Sequence, residues 1–495
     1  MELKRIRERC LKFIQEISKE HYLAYSGQSD TINIEKVYDK YNDLSEPDLL
    51  KDLLKQKERL RNEEERKVRY LSMLIGELTE SRKTVALSDK IGEKKASAKI
   101  FFNGEEVSYY QASAMIESIS EREKRKELLD KINVITYETN DEVKNLWDIS
   151  HELARYFDYD NYVDFWSKLK GVDYETLAEG MDWFISESES TYRELLSEMA
   201  IVELGLEIDK IEPYDTRYLF NMFRFRDQLP GDELIKVVET WTNEWGIDPT
   251  AYGNVTFDTE TRKRKSPRAF CAPVRVPDEV YLVIMPRGGF SDYKSFLHEL
   301  GHALHYGFAN SKYPMEYLYL GDNAVTEAYA FTFDHMMVNP LWVKRYLSLK
   351  DPQLFTRYSI TYSIFMLRRY GAKIRYELIF HRDGKDSDMR MTYSDLLRKS
   401  TLMKQNDVNY LQDIDANMYV ASYLRAWILE AQLNMYLTEN YDEDWFRNPK
   451  ASNFMLDLFS MGQKYTADEI ARQLGYKGLE VEYMWRRLIN TLNDL

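Results

Sequence analysis

Phe296-Leu297-His298-Glu299-Leu300-Gly301-His302-Ala303-Leu304-His305 is the stretch on which the reading of this 495-residue chain turns. On an α-helix, residues four apart lie only about 40° apart around the axis, so His298 and His302 can present two imidazoles to one metal ion from one face. Glu299 sits about 100° round from His298, beside such an ion rather than on it, where a carboxylate can hold a water and take its proton. His-Glu-x-x-His in this setting is the signature of a zinc hydrolase. With only 7 histidines in the chain, a chance match is roughly a one-in-a-hundred event, although a surface helix can carry two solvated histidines with no metal.

Working outward, Pro286-Arg287-Gly288-Gly289 is a breaker cluster, and the pattern predicts a helix with Ser291 as its N-cap, Asp292 in its first turn and an end near Asn310. Phe296, Leu297, Leu300, Ala303 and Leu304 keep an apolar surface beside the histidines, as on a buried helix. A catalytic zinc site has three protein ligands and one open position, so a third ligand is required. The metzincin continuation would put Gly and His where His305 and Phe308 stand, and the sequence rejects it. Gly321 to Met337 reads instead as a returning helix closed by Asn339-Pro340, and Glu327 inside it is the expected third ligand. Glu316 and Asp322 compete, but they fall in or near the loop, where packing fixes a ligand less well. Asp334, on roughly the same face as Glu327, can accept an N–H from a ligating imidazole, or be a solvated or capping aspartate. His305 can line the site or be a hydrogen-bonded neighbour with no catalytic part.

Further runs now carry weight: Phe257-Asp-Thr-Glu-Thr-Arg-Lys263, Arg268-Ala269-Phe270-Cys271, Leu297 to His305, and Glu327-Ala-Tyr-Ala330. Together they resemble the thimet oligopeptidase and oligoendopeptidase F family of zinc metallopeptidases and, more distantly, angiotensin-converting enzyme. Pro213-Tyr214-Asp215 is similar to that family's short Pro-Trp-Asp stretch, and the matching motifs run from about 213 to 430. The resemblance implies a large helical two-lobed fold with a deep cleft, a single catalytic unit that hydrolyses short peptides, and Tyr419 as donor to the oxyanion, with Tyr423 as the fallback on the same helix face. One departure stands out. Such relatives carry a histidine shortly before these tyrosines, whereas the last histidine here is His381, and Asp413, Asp415 and Asn417 occupy the approach.

Arg268 to Pro273 and Val280 to Met285 read as two short strands beside the zinc helix, forming a small antiparallel sheet. In similar enzymes such a strand pairs with the substrate backbone, a mode that recognises extended peptides with little regard to side chains. Ala269 and Cys271 would then lie near the cleft. No Cys-His motif surrounds Cys271, so a nucleophilic role has no support.

The remaining chain bounds the class. Gly 20 and Pro 12 are low counts for this length, which argues for long helices joined by short turns. Leu3, Ile6, Cys10, Phe13, Ile14 and Ile17 repeat at helical spacing, and Arg59 to Arg69 reads as a solvated helix face. The expected organisation is a helical N-terminal lobe over about 1–210, a zinc-binding region over about 211–430, and C-terminal helices over 431–495. A net charge of −15 argues against nucleic acid as a partner. No apolar run is long enough for a membrane span, no signal-peptide core precedes Cys10, and two cysteines give no disulfide framework, so the expectation is a soluble, cytoplasmic protein with no membrane partner. The expected cofactor is one Zn²⁺ per chain. A carboxypeptidase would share these ligands but need a cation for the substrate's C-terminus, for which Arg262, Arg268 and Arg425 are candidates. A helical peptide-binding protein that retained the zinc site is the non-enzymatic alternative. Oligomeric state and side-chain preference stay open.

Overall fold

Scarce breakers and abundant helix formers produce twenty-two α-helices in a computed structural model that describes residues 2–29, 33–383 and 388–495, with two small sheets among these residues. The chain divides into two compact units: residues 1–79, 225–357 and 422–495 form one, and residues 80–224 and 358–421 the other. Both units are discontinuous in sequence, whereas the reading of the sequence divided the chain consecutively at about 1–210, 211–430 and 431–495. Helical periodicity tells which face of a segment is buried, not which distant segment covers it.

In the first unit, the strands Val255–Asp258, Glu279–Val283 and Phe270–Arg275 lie in that spatial order. Phe270–Arg275 runs antiparallel to the central strand, as expected for these two segments, and the unexpected strand Val255–Asp258 runs parallel to it, which makes the sheet mixed. The third strand comes from a stretch whose lone apolar pair gave no strand periodicity. The N-terminal helix Leu3–Tyr25 covers the sheet: Tyr22 stacks on Tyr281 with ring centroids 3.7 Å apart and packs with Ala272, Val274 and Val283.

Asp258 ties these pieces together. Its carboxylate accepts from the fully buried Lys265 ammonium at 2.8 Å, from Arg262 at 2.9 Å to both oxygens, and from Gln28 at 3.1 Å, while Arg262 also donates to the Ser26 carbonyl. Burial works to raise the Asp258 pKa, but Lys265 and Arg262 overcome it and hold it below the usual carboxylate range. Asp258→Asn leaves the Lys265 charge buried without its counter-ion, and it is expected to destabilise this unit by about 3 kcal/mol at neutral pH. Because the folded pKa is depressed, this stabilisation is present above the unfolded pKa of about 3.9 and is lost as pH falls through the folded value. The gap in urea midpoint between wild type and variant should therefore narrow in acid, and equal midpoints at pH 7 would remove the assigned role.

The second unit carries the hairpin Lys99–Phe102 and Glu105–Ser108, whose Ile100 and Phe102 pack with Ala112, Ile116, Leu128 and Ile132. Asp215 of the Pro-Tyr-Asp stretch is fully buried there, accepting from Arg125 at 2.8 Å and from the Glu212 amide at 3.1 Å. That motif caps and anchors the helix Pro213–Phe220.

Candidate metal centre

The histidine helix spans Phe290–Gly307 and the returning glutamate helix Asn323–Asp334, both in the first unit. Gly289, at φ 92°, and not Ser291, precedes the first turn, and the helix stops at Gly307 rather than near Asn310. Asp292 explains the shift, since its carboxylate accepts from the amides of Arg287 and Gly288 and folds the breaker cluster onto the helix start. The glutamate helix is capped by Asp322, which accepts from the Ala324 amide at 3.1 Å. Phe333 anchors it among Trp241 and Trp245, at centroid distances of 5.4 and 5.7 Å.

These two helices bring His298, His302 and Glu327 together, with one ligand atom from each lying within 4.8 Å of the others. The Glu327 carboxylate stands 3.3 Å from His298 Nε2 and 3.7 Å from His302 Nε2. Each Nδ1 is engaged elsewhere: His298 Nδ1 lies 3.0 Å from the buried Asp334 carboxylate and His302 Nδ1 lies 2.9 Å from the Thr326 hydroxyl. Both rings are thus turned so that Nε2 faces the carboxylate, and two imidazoles with one carboxylate are a donor set that fits a zinc ion. Lys294, one turn before His298, pairs with Asp334 at 2.7 Å. Phe331 meets His298 edge-on at 5.1 Å.

The electrostatics follow from this packing. Burial lowers the His302 pKa to about 4, leaving a neutral ring able to donate a lone pair. For His298 burial acts in the same direction, but hydrogen bonds to Asp334 and Glu327 overcome it and raise its pKa, so without a cation a proton occupies that corner. Asp334 is held far below its usual value: burial opposes this, and Lys294, His298 and His335 outweigh it. Glu299, half-buried beside the triad, is raised to about 7 by desolvation and by Glu327, against the opposing charge of His298 and the Cys271 amide.

The competing carboxylates are committed elsewhere. Glu316 is buried against Arg7, and Asp322 pairs with Arg425 at 2.7 and 2.8 Å. His305 turns away from the donor set into aromatic packing with Tyr306, Tyr329 and Phe459, where burial lowers its pKa to about 3. Burial also pushes the Cys271 thiol up, helped by the charge of Glu299, which keeps it protonated. Tyr423 lies in the same unit with its ring 6.1 Å from Phe331. Tyr419 is the first residue of the helix Tyr419–Tyr441 and belongs to the second unit, the chain crossing between Ala421 and Ser422. In the approach to Tyr419, where a histidine was expected by resemblance, Asp413 pairs with Arg369 at 2.5 Å and accepts from the Tyr393 hydroxyl at 2.8 Å, and Asp415 pairs with Lys373 at 2.8 Å.

Phe270–Arg275 is an edge strand, and Ala269 falls just before it. Beside it runs a groove of about 460 Å³ lined by His21 and Tyr25 of the N-terminal helix and by Arg268, Ala269, Phe270 and Cys271. Sequence reading missed Thr326 and Lys294. Thr326 adjoins Glu327 and Lys294 sits four residues before His298, but which ring nitrogen needs a partner is visible only once the helices are packed.

No family model matches this sequence, and no curated protein matches it. Solved structures do. A PZ peptidase A bound to an inhibitor superposes with a TM-score of 0.72 at 17% identity, over 99% of this chain and 91% of that one. Two proteins designated oligoendopeptidase F are also similar: one from Bacillus anthracis, with a TM-score of 0.64 at 16% identity over 97% of this chain and 82% of that one, and another with a TM-score of 0.73 at 14% identity over 99% and 91%. At these identities the likeness is one of fold.

Proposed function

We propose that this chain is a zinc-dependent metallopeptidase that hydrolyses short peptides. The observation carrying this reading is the convergence of His298 Nε2, His302 Nε2 and a Glu327 oxygen, the two rings held at Nδ1 by Asp334 and Thr326, beside Glu299 on a peptidase-like fold. His298, His302 and Glu327 would hold the ion. Zn²⁺ bound by such a set supplies Lewis acidity, lowering the pKa of a water to about 7 and polarising a carbonyl.

The chain's own groups do the rest. Glu299 accepts the proton of the attacking water and delivers it to the departing amine, a role suited to a carboxylate whose pKa is lifted toward neutrality. The outer edge of Phe270–Arg275 pairs with an extended peptide and sets its register against Glu299. Tyr419 donates to the oxyanion, an assignment carried over from the resemblance, and Tyr423 is the alternative donor. Asp334 and Thr326 hold the two imidazoles by Nδ1, so the ligands need no rearrangement.

The test is elemental analysis with a quenched-fluorescence peptide assay. One zinc per chain is expected, with hydrolysis abolished by chelation and restored by Zn²⁺; metal-free protein that still cleaves peptides, or loaded protein that cleaves none, would sink the proposal.

A carboxypeptidase is the second reading, and one observation supports it. Arg262 and Arg425 are spent on Asp258 and on Asp322 with Asp468, whereas Arg268 lines the groove with no ion-pair partner among the described residues. If Arg268 anchors a free C-terminus, amidated peptides and the Arg268→Ala variant should each lose about tenfold or more in kcat/KM. Equal cleavage of free and amidated peptides assigns endopeptidase action.

A further inference from the structure

Asn417 and Met418, immediately before Tyr419, both have positive φ, at 58° and 53°. Asparagine tolerates this region, but methionine has no side-chain hydrogen bond to offset the clash of its Cβ, so two such residues in succession persist only where the surroundings impose them. The surroundings are visible in the second unit. The Tyr162 hydroxyl accepts from the Asn417 amide at 2.9 Å, and Lys170 donates to the Asn417 carbonyl at 2.6 Å. Both side chains come from one helix, Tyr162–Lys170, so the two peptide groups flanking Asn417 are gripped by one rigid element.

Tyr162 is itself fixed. Its hydroxyl donates to the buried Glu80 carboxylate at 2.9 Å, and its ring stacks on His381 with centroids 4.5 Å apart. Burial and the Glu80 charge push its pKa well up, so the hydroxyl keeps the proton it gives to Glu80 while accepting from Asn417. Upstream, Glu377 accepts from the Asp415 amide at 2.9 Å. The backbone from Asp415 to Asn417 is therefore held by side chains as well as by one tight turn, in which the Tyr419 amide donates to the Ala416 carbonyl, and the left-handed pair turns it into the first residue of the following helix.

We propose that Tyr162 and Lys170 are positioning residues for Tyr419: by gripping both peptide groups of Asn417 they impose the left-handed pair that aims the first side chain of the helix Tyr419–Tyr441. The inference rests on the assignment of Tyr419 as oxyanion donor in the proposed peptidase. It is not a statement about stability alone, because the grip acts on one side chain's direction.

A double-mutant cycle on the zinc-loaded full chain tests it. Tyr419→Phe should lower kcat about 100-fold. Tyr162→Phe, which removes one hydroxyl, should lower kcat about tenfold with KM within about twofold, and should add nothing further in the Tyr419→Phe background. Lys170→Gln, a change at a half-buried position, is the second variant should Tyr162→Phe fail to fold, with the same expected pattern. Losses that multiply across the cycle, or a full rate in both positioning variants, overturn the inference. So does wild-type turnover by Tyr419→Phe in a protein that Glu299→Gln inactivates, which leaves the peptidase standing. A wild-type chain that cleaves no peptide at all removes the peptidase reading and this inference together.

Discussion

Glu299→Gln should bind one zinc per chain and hydrolyse peptides between about 10² and 10⁴ times more slowly than wild type, with KM unchanged. Glutamine has the shape of glutamate and keeps a carbonyl acceptor for water, but it cannot take a proton. Because His298, His302 and Glu327 form the donor set without Glu299, metal affinity should survive. The pH profile carries a second expectation. Desolvation lifts the metal-free Glu299 pKa to about 7, and a cation beside it draws that value down, so the acid limb of kcat/KM should fall below neutrality. A base works only when deprotonated, so below that pKa the rate should fall tenfold per pH unit, and the residual activity of Glu299→Gln should lack this limb. A loaded variant with wild-type turnover would leave a helical peptide-binding protein as the better reading.

The shared face of His298 and His302 was legible because it depends on spacing within one helix: the two must lie together whatever else the chain does. Glu327 was legible for a weaker reason, as the carboxylate inside the next helix rather than in the loop, and the structure shows why its rivals are occupied by Arg7 and Arg425. What turns the rings was not legible. Thr326 is one of many threonines, and only the crossing of the two helices puts its hydroxyl 2.9 Å from His302 Nδ1.

The fold divides the same way. Leu3, Ile6, Cys10 and Phe13 announce a helix, and Leu3–Tyr25 is one, but nothing in their period says that the covered partner is a sheet more than two hundred residues later. The parallel pairing of Val255–Asp258 with Glu279–Val283 was likewise hidden, because four residues carry too little alternation to read. Asp258 lies in a run notable only for its resemblance to an enzyme family, and its partners Lys265, Arg262 and Gln28, none of them readable from that run as contacts, make it a tie between strand and loop. His305 is similar. Seven residues from His298 it shares roughly that face, yet Tyr329 and Phe459 pack around it beyond the donor set.

Gly301→Ala should cost more function than any other single methyl added to the histidine helix. A Cβ at Gly301 would lie 2.6 Å from Ala330 Cα and 2.7 Å from the Tyr329 carbonyl oxygen, so it meets the backbone of the glutamate helix rather than a side chain that can swing aside. Normal carbon contacts lie at about 3.5–4.0 Å, which requires the helices to separate by roughly 1 Å. The donor atoms sit on both helices, His298 and His302 on one and Glu327 on the other, and ligand distances are tolerated only within about 0.2 Å. Zinc affinity is therefore expected to fall by at least about 100-fold, and activity at limiting zinc with it, while the metal-free fold loses about 2 kcal/mol from overpacking. Gly307→Ala provides the contrast. Its new Cβ would meet the Val255 Cγ2 methyl at 2.5 Å, a side-chain contact that a rotamer change relieves, at the helix end away from the donors. Competition with a chromophoric chelator measures both variants against wild type. If Gly301→Ala holds zinc as tightly as Gly307→Ala, the close crossing of the two helices does not set the ligand geometry.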